Sequence, residues 1–325
     1  MTSVSIALTT CNGAGFLEEQ LDSYLRQTRH PDELVVCDDA SDDSTMAILE
    51  RFSIRAPFPV LVLRNTTRLR VATSLERAAR SCHGDIVFVS DQDDVWLDSK
   101  IQSHCLAFAQ DPSAVMVCSN SEMVGSDLTP MGTTLFRHAR FSRSLLHSVR
   151  KGKAFAAFIR HPALAGHGMS FRRQCTELFF PVPDTWLYDS WIPLLSAAYG
   201  NVVMLEKPLM LYRKHAAQSM GAGSETLVQK AIRGDRQLSR RAFDREIENL
   251  AVLIARMERV LPKSALRTTA AGLISDKSRF LSERRQMREV STGSRLWLIG
   301  RCVARRQYWR VGRGWLGVAR DVIAP

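Results

Sequence analysis

Asp91-Gln92-Asp93-Asp94 sets three carboxylates within four residues, directly after the apolar run at residues 86–89. Alternate side chains of extended backbone share a face, so Asp91 and Asp93 can address one ligand. Hard carboxylates with no His or Cys beside them in sequence suit Mg²⁺ or Mn²⁺ rather than zinc. Such an ion is commonly held by one or two carboxylates plus a substrate's phosphates, where it acts as a Lewis acid on a leaving diphosphate. The competing reading is a solvated acidic turn. Two further strand ends favour a site: Thr9-Thr10-Cys11-Asn12 and Asp38-Asp39 close the first two apolar runs.

Positioning these ends takes a regular alternation of elements. Residues 4–8 read as a buried strand, 33–37 as the next apolar run, and 60–63 and 86–89 as the third and fourth strands. Residues 16–27, 44–52 and 73–81 read as helices, the first with Leu17, Leu21, Tyr24 and Leu25 on one face. The polar cluster Ser41-Asp42-Asp43-Ser44 marks the start of the second. This order predicts an α/β fold, a mostly parallel sheet with helices on both faces. Ligands of such sheets lie beyond the carboxyl ends of the strands, where the polar residues fall.

Further along, residues 114–118 read as a strand, and the basic stretch 136–153 as a loop with some helix. Residues 166–171 form a strand whose glycines allow close backbone approach. Residues 191–199 are helical and end at Gly200, and 202–205 and 209–212 return to strand. Gly221-Ala222-Gly223 marks a boundary, dividing a domain at 1–223 from a helical, Arg-rich region at 224–325.

Composition excludes several classes. Apolar residues make up 45% and charged residues 24% of the 325, which fits a globular chain rather than a disordered one. The seven cysteines are scattered without a CxxC pair, which points away from zinc and from a disulfide framework and fits a reducing, cytoplasmic setting. The apolar start is too short for a signal peptide, and no apolar run is long enough to cross a membrane. Gly13-Ala14-Gly15 does not complete a dinucleotide fingerprint, because Glu18 stands where the third glycine belongs. No P-loop is present.

Four short motifs in order, Val-Ser-Ile-Ala-Leu-Thr-Thr-Cys-Asn-Gly at 4–13, Leu21-Asp22-Ser23-Tyr24-Leu25-Arg26-Gln27-Thr28, Val36-Cys37-Asp38-Asp39-Ala40-Ser41-Asp42-Asp43 and Ser90-Asp91-Gln92-Asp93-Asp94-Val95-Trp96, resemble the family 2 glycosyltransferases of GT-A type. The likeness covers about residues 3–221 and is nearest to bacterial rhamnosyltransferase members. It implies that Thr9, Thr10 and Asp39, with Glu18 and Asp91, contact a nucleotide, and that Asp93 and Asp91 hold Mg²⁺ or Mn²⁺. Tyr188-Asp189-Ser190-Trp191 is similar to the family's base motif, so Asp189 becomes the catalytic base of an inverting displacement. The alternative for Asp189 is a helix N-cap. Tyr212-Arg213-Lys214-His215 resembles a Y-R-x-H segment, which makes His215 a metal or diphosphate contact or else a packed core histidine. Tyr188 replaces the family's usual acid or His. Arg68-Leu69-Arg70-Val71 replaces its Asn-x-Gly, where Arg70 pairs with a phosphate or stays a surface residue. His167 lines an acceptor cleft or packs. The implied partners are a nucleoside-diphosphate sugar (dTDP-rhamnose, or a UDP-sugar) and a saccharide or lipid-linked acceptor. The rival readings are a nucleotidyltransferase, which lacks its basic glycine-rich loop here, and a non-catalytic binding or scaffold protein of the same fold.

The net charge of +11 is uneven. Residues 1–223 hold 22 Lys/Arg and 23 Asp/Glu, whereas 224–325 hold 22 and 10. Near the end Trp297, Ala304, Tyr308, Val311, Trp315, Val318 and Val322 recur at helical spacing, with Arg306, Arg310, Arg313 and Arg320 mainly opposite. One continuous helix of this kind would lie on the anionic inner face of a membrane, or pack on the catalytic domain with its arginines in water. No nucleic-acid-binding motif accompanies the charge.

Overall fold

A computed structural model describes residues 2–139, 141–160, 168–215, 236–312 and 314–323, with side chains from 241 onward in the fourth segment. The chain divides into two units, residues 1–154 with 163–219 and residues 155–162 with 220–325. His167 and Gly221-Ala222-Gly223 lie outside the described residues.

In the first unit β1 (Val4–Thr10), β2 (Glu33–Asp38), β3 (Val60–Arg64) and β4 (Ile86–Ser90) run parallel in the order β3-β2-β1-β4. The helices α1 (Leu17–Leu25), α2 (Thr45–Arg55) and α3 (Val71–Arg80) make the crossovers. Every residue of β1 and β4 is buried, which is why both read as unbroken apolar runs rather than alternating ones. Val4, Ile6, Leu8, Leu34, Val36, Ile86 and Phe88 pack with Leu17, Leu21 and Tyr24 of α1 and Ile48, Leu49 and Phe52 of α2 in one core.

The second half of the sheet is mixed. It is built from β5 (Val95–Trp96), α4 (Lys100–Gln110), β6 (Ala114–Val124), β7 (Pro130–Thr134), α5 (Leu135–His138), α6 (Arg143–Arg150), β8 (Met169–Arg172), α8 (Thr176–Phe179), α9 (Tyr188–Tyr199) and β9 (Asn201–Arg213), while α7 (Ala154–Phe158) belongs from Phe155 on to the second unit. β8 lies antiparallel between β4 and β6, β6 pairs β9 in parallel, and β5 and β7 add antiparallel edges. The two short strands expected at 202–205 and 209–212 are one strand, β9. The polar gap between them is a bulge, where Leu205 pairs Ser119 and Pro208, which has no N–H to donate, pairs Asn120. The basic stretch 136–153 is more helical than expected. Thr134 and Ser142 cap α5 and α6, and Leu145, Leu146 and Val149 of α6 are buried.

The second unit is helical, with α10 (Arg236–Val260), α11 (Ala265–Gln286), α12 (Thr292–Ala304), α13 (Gln307–Arg310) and α14 (Trp315–Ile323). Its segment at 155–162 is held by Lys277 Nζ donating to the Ile159 carbonyl at 2.7 Å and Arg160 Nη1 donating to the Trp309 carbonyl at 3.0 Å. The continuous amphipathic helix expected here does not form. The backbone turns left-handed at Arg306 (φ 54°) and at Gly314 (φ 59°), which splits the stripe over three helices. Tyr308 and Val311 enter a core with Phe280, Met287, Leu298, Ile299 and Cys302. Buried Asp321 accepts from Arg284 Nε and Nη2, both at 2.7 Å, and from the Tyr308 hydroxyl at 2.8 Å. Val318 packs half-buried against that core, whereas Trp297, Trp315 and Val322 remain exposed.

Candidate active site

The carboxyl ends of β1, β2 and β4 meet in one network. Gln92 clamps the loop after β1, accepting from the Cys11 N–H at 2.8 Å and donating to the Cys11 carbonyl at 3.0 Å. A Cβ on Gly13 would stand 2.2 Å from Gln92 Oε1, so this close approach needs glycine. Asp38 is fully buried and closes the β2 turn, accepting from the Thr10 hydroxyl at 2.9 Å, the Ser41 hydroxyl at 2.5 Å and the Ser41 N–H at 3.0 Å. Thr10 is thereby held against Asp38. Thr9 instead points its hydroxyl at Asp91, 3.4 Å away. Beneath β4, Ser90 joins Tyr24 and Gln20 in a buried polar cluster at 2.7–2.8 Å.

Asp39 organises the segment before α3. Its carboxylate accepts from Asn65 Nδ2 at 2.6 Å and from the N–H groups of Leu69 at 2.7 Å and Arg70 at 2.9 Å. Burial pushes its pKa up, but the hydrogen bonds from Leu69, Asn65, Ser74 and Arg70 outweigh that and hold it below the usual range. Arg70 adopts φ 73° and ψ 160°, a conformation that glycine takes without strain. Its side chain is exposed at the start of α3.

The three acids after β4 face three different partners. Asp91 accepts from the Tyr188 hydroxyl at 3.2 Å as well as from Thr9. Asp93 Oδ2 lies 2.8 Å from His215 Nε2, and the buried His215 Nδ1 has no hydrogen-bond partner. Asp94 accepts from the Arg213 N–H at 3.1 Å. Arg213 also donates from Nε to the Asp93 carbonyl at 2.8 Å, reaches the Ser126 carbonyl and Glu19, and lies 4.8 Å over the Phe16 ring. Fully buried Lys100 packs 4.0 Å from the Trp96 ring, and burial lowers its pKa against the attraction of Asp94.

Asp189 lies in the first turn of α9, half-buried, with the Ser190 hydroxyl donating to it at 3.0 Å. It is not the helix cap, since Leu187 occupies that position without a side-chain bond. The Tyr188–Asp91 bond ties the start of this helix to the acidic motif. Burial first, and then the Asp91 charge, raises the Tyr188 pKa, so its hydroxyl stays a donor.

The network thus gathers Thr9, Asp91 and Tyr188 in one group and Asp93 with His215 in another. Glu18 joins neither: it is 60% exposed and pairs with Arg51 at 2.7 Å. Its neighbour Glu19 supplies the acid, through Arg213. Gln92, Tyr188, Arg213 and Glu19 carry no local sequence signal for these roles, since their partners lie 81 to 194 residues away.

Asp93 Oδ2 and His215 Nε2 are hydrogen-bonded to each other, and this carboxylate and imidazole would have to part to hold a divalent ion between them. Among the described residues no three His, Cys, Asp or Glu converge as a metal cage. Two protein ligands with the rest supplied by phosphates and water is how Mg²⁺ is commonly held, in contrast to a structural zinc site with its four protein ligands.

Residues 5–179 match the family model described as glycosyl transferase family 2. The chain is 32% identical over 239 residues to the dTDP-rhamnosyl transferase RfbG of Shigella flexneri, covering 66% of this chain and 74% of that protein. It is 25% identical over 233 residues to an uncharacterized glycosyltransferase of Nostoc sp., covering 70% of each. In three dimensions it is similar to the mannosyltransferase PcManGT from Pyrobaculum calidifontis, solved with GDP-Man and Mn²⁺. That likeness has a TM-score of 0.56 at 18% identity, covers 99% of this chain and 86% of that one, and speaks for the fold alone.

Two outcomes follow from the network's geometry. Asp39→Asn puts an amide N–H against backbone donors and costs about 1–3 kcal/mol near neutral pH. Because the folded pKa of Asp39 is lowered, its contribution is complete above the unfolded value of about 3.9 and is lost as pH falls through the folded value. Urea titrations will therefore show the gap between wild type and Asp39→Asn closing below about pH 4, and a constant gap would contradict this. Arg70→Gly relieves the left-handed backbone and raises the melting free energy by about 1 kcal/mol, read by thermal denaturation.

Proposed function

We propose, from the premise that this chain belongs to glycosyl transferase family 2, that it is an inverting, metal-dependent glycosyltransferase acting on a saccharide or lipid-linked saccharide. The observation that carries this reading is the Tyr188–Asp91 hydrogen bond, which joins the helix bearing Asp189 to the acidic strand end beside Asp93 and His215. A base on one element and a diphosphate site on another are what a single displacement requires.

In this reading the acceptor hydroxyl oxygen bonds to the anomeric carbon while the bond from that carbon to the diphosphate oxygen breaks. The hydroxyl proton passes to the Asp189 carboxylate, and the electron pair leaves with the diphosphate. Asp93 and His215 would hold Mg²⁺ or Mn²⁺, which when bound withdraws charge from the leaving group. Thr9 and Asp91 contact the nucleotide at the end of β1, and Arg70 at the exposed start of α3 pairs with a phosphate. Asp39 and Thr10 act on the nucleotide mainly by fixing the loops around it, since both side chains already hold hydrogen bonds there. The name of the Shigella relative supports dTDP-rhamnose as donor, with UDP-sugars next.

The test is thermal stabilisation by dTDP, UDP and GDP, each with and without Mn²⁺. A ligand at about 100 times its dissociation constant adds about 2.7 kcal/mol. One nucleotide is expected to stabilise the wild type and Asp189→Asn in a metal-dependent way, and Asp93→Asn not at all, with transfer lost in both variants. No shift with any nucleotide, or transfer retained in Asp189→Asn, overturns the reading.

We propose also that the second unit meets an anionic bilayer. Among the described residues no helix is long and apolar enough to cross a membrane. Yet Trp297, Trp315, Leu316 and Ile323 are 63%, 70%, 66% and 79% exposed, in the region that carries all the excess positive charge. Aromatic and aliphatic side chains with arginines around them suit the interface of an acidic leaflet. Sedimentation with phosphatidylglycerol vesicles is expected to capture the protein and to release Trp297→Ala/Trp315→Ala. Equal capture by pure phosphatidylcholine, or no effect of the double substitution, contradicts it.

A further inference from the structure

A second polar site lies in the first unit, away from the Asp93–His215 pair. A cavity of about 620 Å³ is lined by Asn120, Phe136, Arg137, Arg143 and Glu206, among others. Its floor is built. Asn120, 7% exposed, accepts from the N–H groups of Ser121 at 2.9 Å and Phe136 at 3.0 Å and donates to the Glu206 carbonyl at 3.1 Å. That one side chain ties β6, the β9 bulge and the start of α5 together. Phe136 and Phe141 pack at 5.5 Å between ring centres and give the cavity an apolar wall.

The lining holds two arginines, Arg137 and Arg143, and one acid, Glu206. From residue 128 to 154 the sequence holds six Lys/Arg and no Asp or Glu. Glu206, the acid in the lining, is ion-paired with Arg150. Arg137 and Arg143 are exposed, and among the described residues neither guanidinium has an ion-pair or hydrogen-bond partner. The eight-residue helix α6 starts at this wall, with Ser142 and Arg143 in the lining, and adds the positive end of its dipole. A cavity with two free arginines, a fixed amide floor and an aromatic wall suits an anionic saccharide, whose ring packs on the apolar side while its charge meets the guanidinium forks.

We propose that this cavity recognises an anionic group, a carboxylate or a phosphate, carried by the acceptor saccharide. This rests on the glycosyl-transfer reading and deepens it. Pro208 at the cavity's bulge and Arg213 beside Asp93 are separated by five residues of β9, about 17 Å of strand. A diphosphate seated at Asp93 does not span that length, so the anion recognised here belongs to the other substrate. The acceptor is then selected by its charge some distance from the hydroxyl that reacts.

The experiment is calorimetric binding to the full-length protein without metal or nucleotide. Tetragalacturonate probes a carboxylated saccharide, farnesyl diphosphate a lipid-borne phosphate, and maltotetraose is the neutral control. At least one anionic probe is expected to bind wild type and Asp93→Asn equally, at least tenfold more weakly to Arg137→Ala/Arg143→Ala, and more weakly as salt rises. Which probe binds names the source of the anion. The proposal is overturned if neither anionic probe binds, if maltotetraose binds as well, if the double substitution changes nothing, or if Asp93→Asn abolishes binding. Both arginines are exposed, so the double variant retains the fold, and a failure of nucleotide binding at Asp93 leaves this readout intact.

Discussion

Arg213 is buried with its charge, and that constraint shapes the candidate site. A guanidinium is tolerated inside a protein only when its donors are used, and breaking such a set costs about 3–5 kcal/mol. Here the end of β9 brings it to the Asp93 carbonyl, the Ser126 carbonyl, Glu19 on α1 and the Phe16 ring, while its own N–H binds Asp94. The backbone of Asp93 is thus fixed from α1, the loop after β6, and β9 at once. Two residues on, His215 is delivered to the Asp93 carboxylate. The Asp93–His215 pair, proposed above to hold a divalent ion, depends on this clamp as well as on the bond between its two members.

The remaining acids each have separate partners. Asp38 closes a turn, Asp39 gathers the N–H groups before α3, and Asp91 takes the Thr9 and Tyr188 hydroxyls. Tyr188 has a particular consequence. A hydroxyl with a raised pKa donates to Asp91 without adding a second negative charge beside Asp189. An acid at that position would place three carboxylates around the start of α9.

Strands β1, β2 and β4 and the crossovers were legible because a strand buried on both faces leaves an unbroken apolar run, and its polar ends stand out against it; the half-exposed edge strand β3 showed only as the short apolar run at 60–63. The order of the other strands was not legible, since nothing local in residues 169–172 states that they insert antiparallel between β4 and β6. Asp93 could be read from its motif, but His215 beside it came only through a family likeness. Arg213 and Tyr188 stand inside motifs of that likeness, but their partners lie 120 and 97 residues away and nothing local names them. The C-terminal stripe misled for a simple reason. The spacing runs unbroken through Arg306 and Gly314, where the backbone turns left-handed and ends a helix, so residues of one expected face divide between a core and the solvent.

The most direct measurement of the central claim is a crystal structure with Mn²⁺ and a nucleoside diphosphate, using anomalous scattering to locate the metal. The account predicts one metal peak bonded to Asp93 and His215, with the diphosphate completing its shell and the start of α9 facing the same space. A peak elsewhere, or a nucleotide bound with no metal between Asp93 and His215, would contradict it.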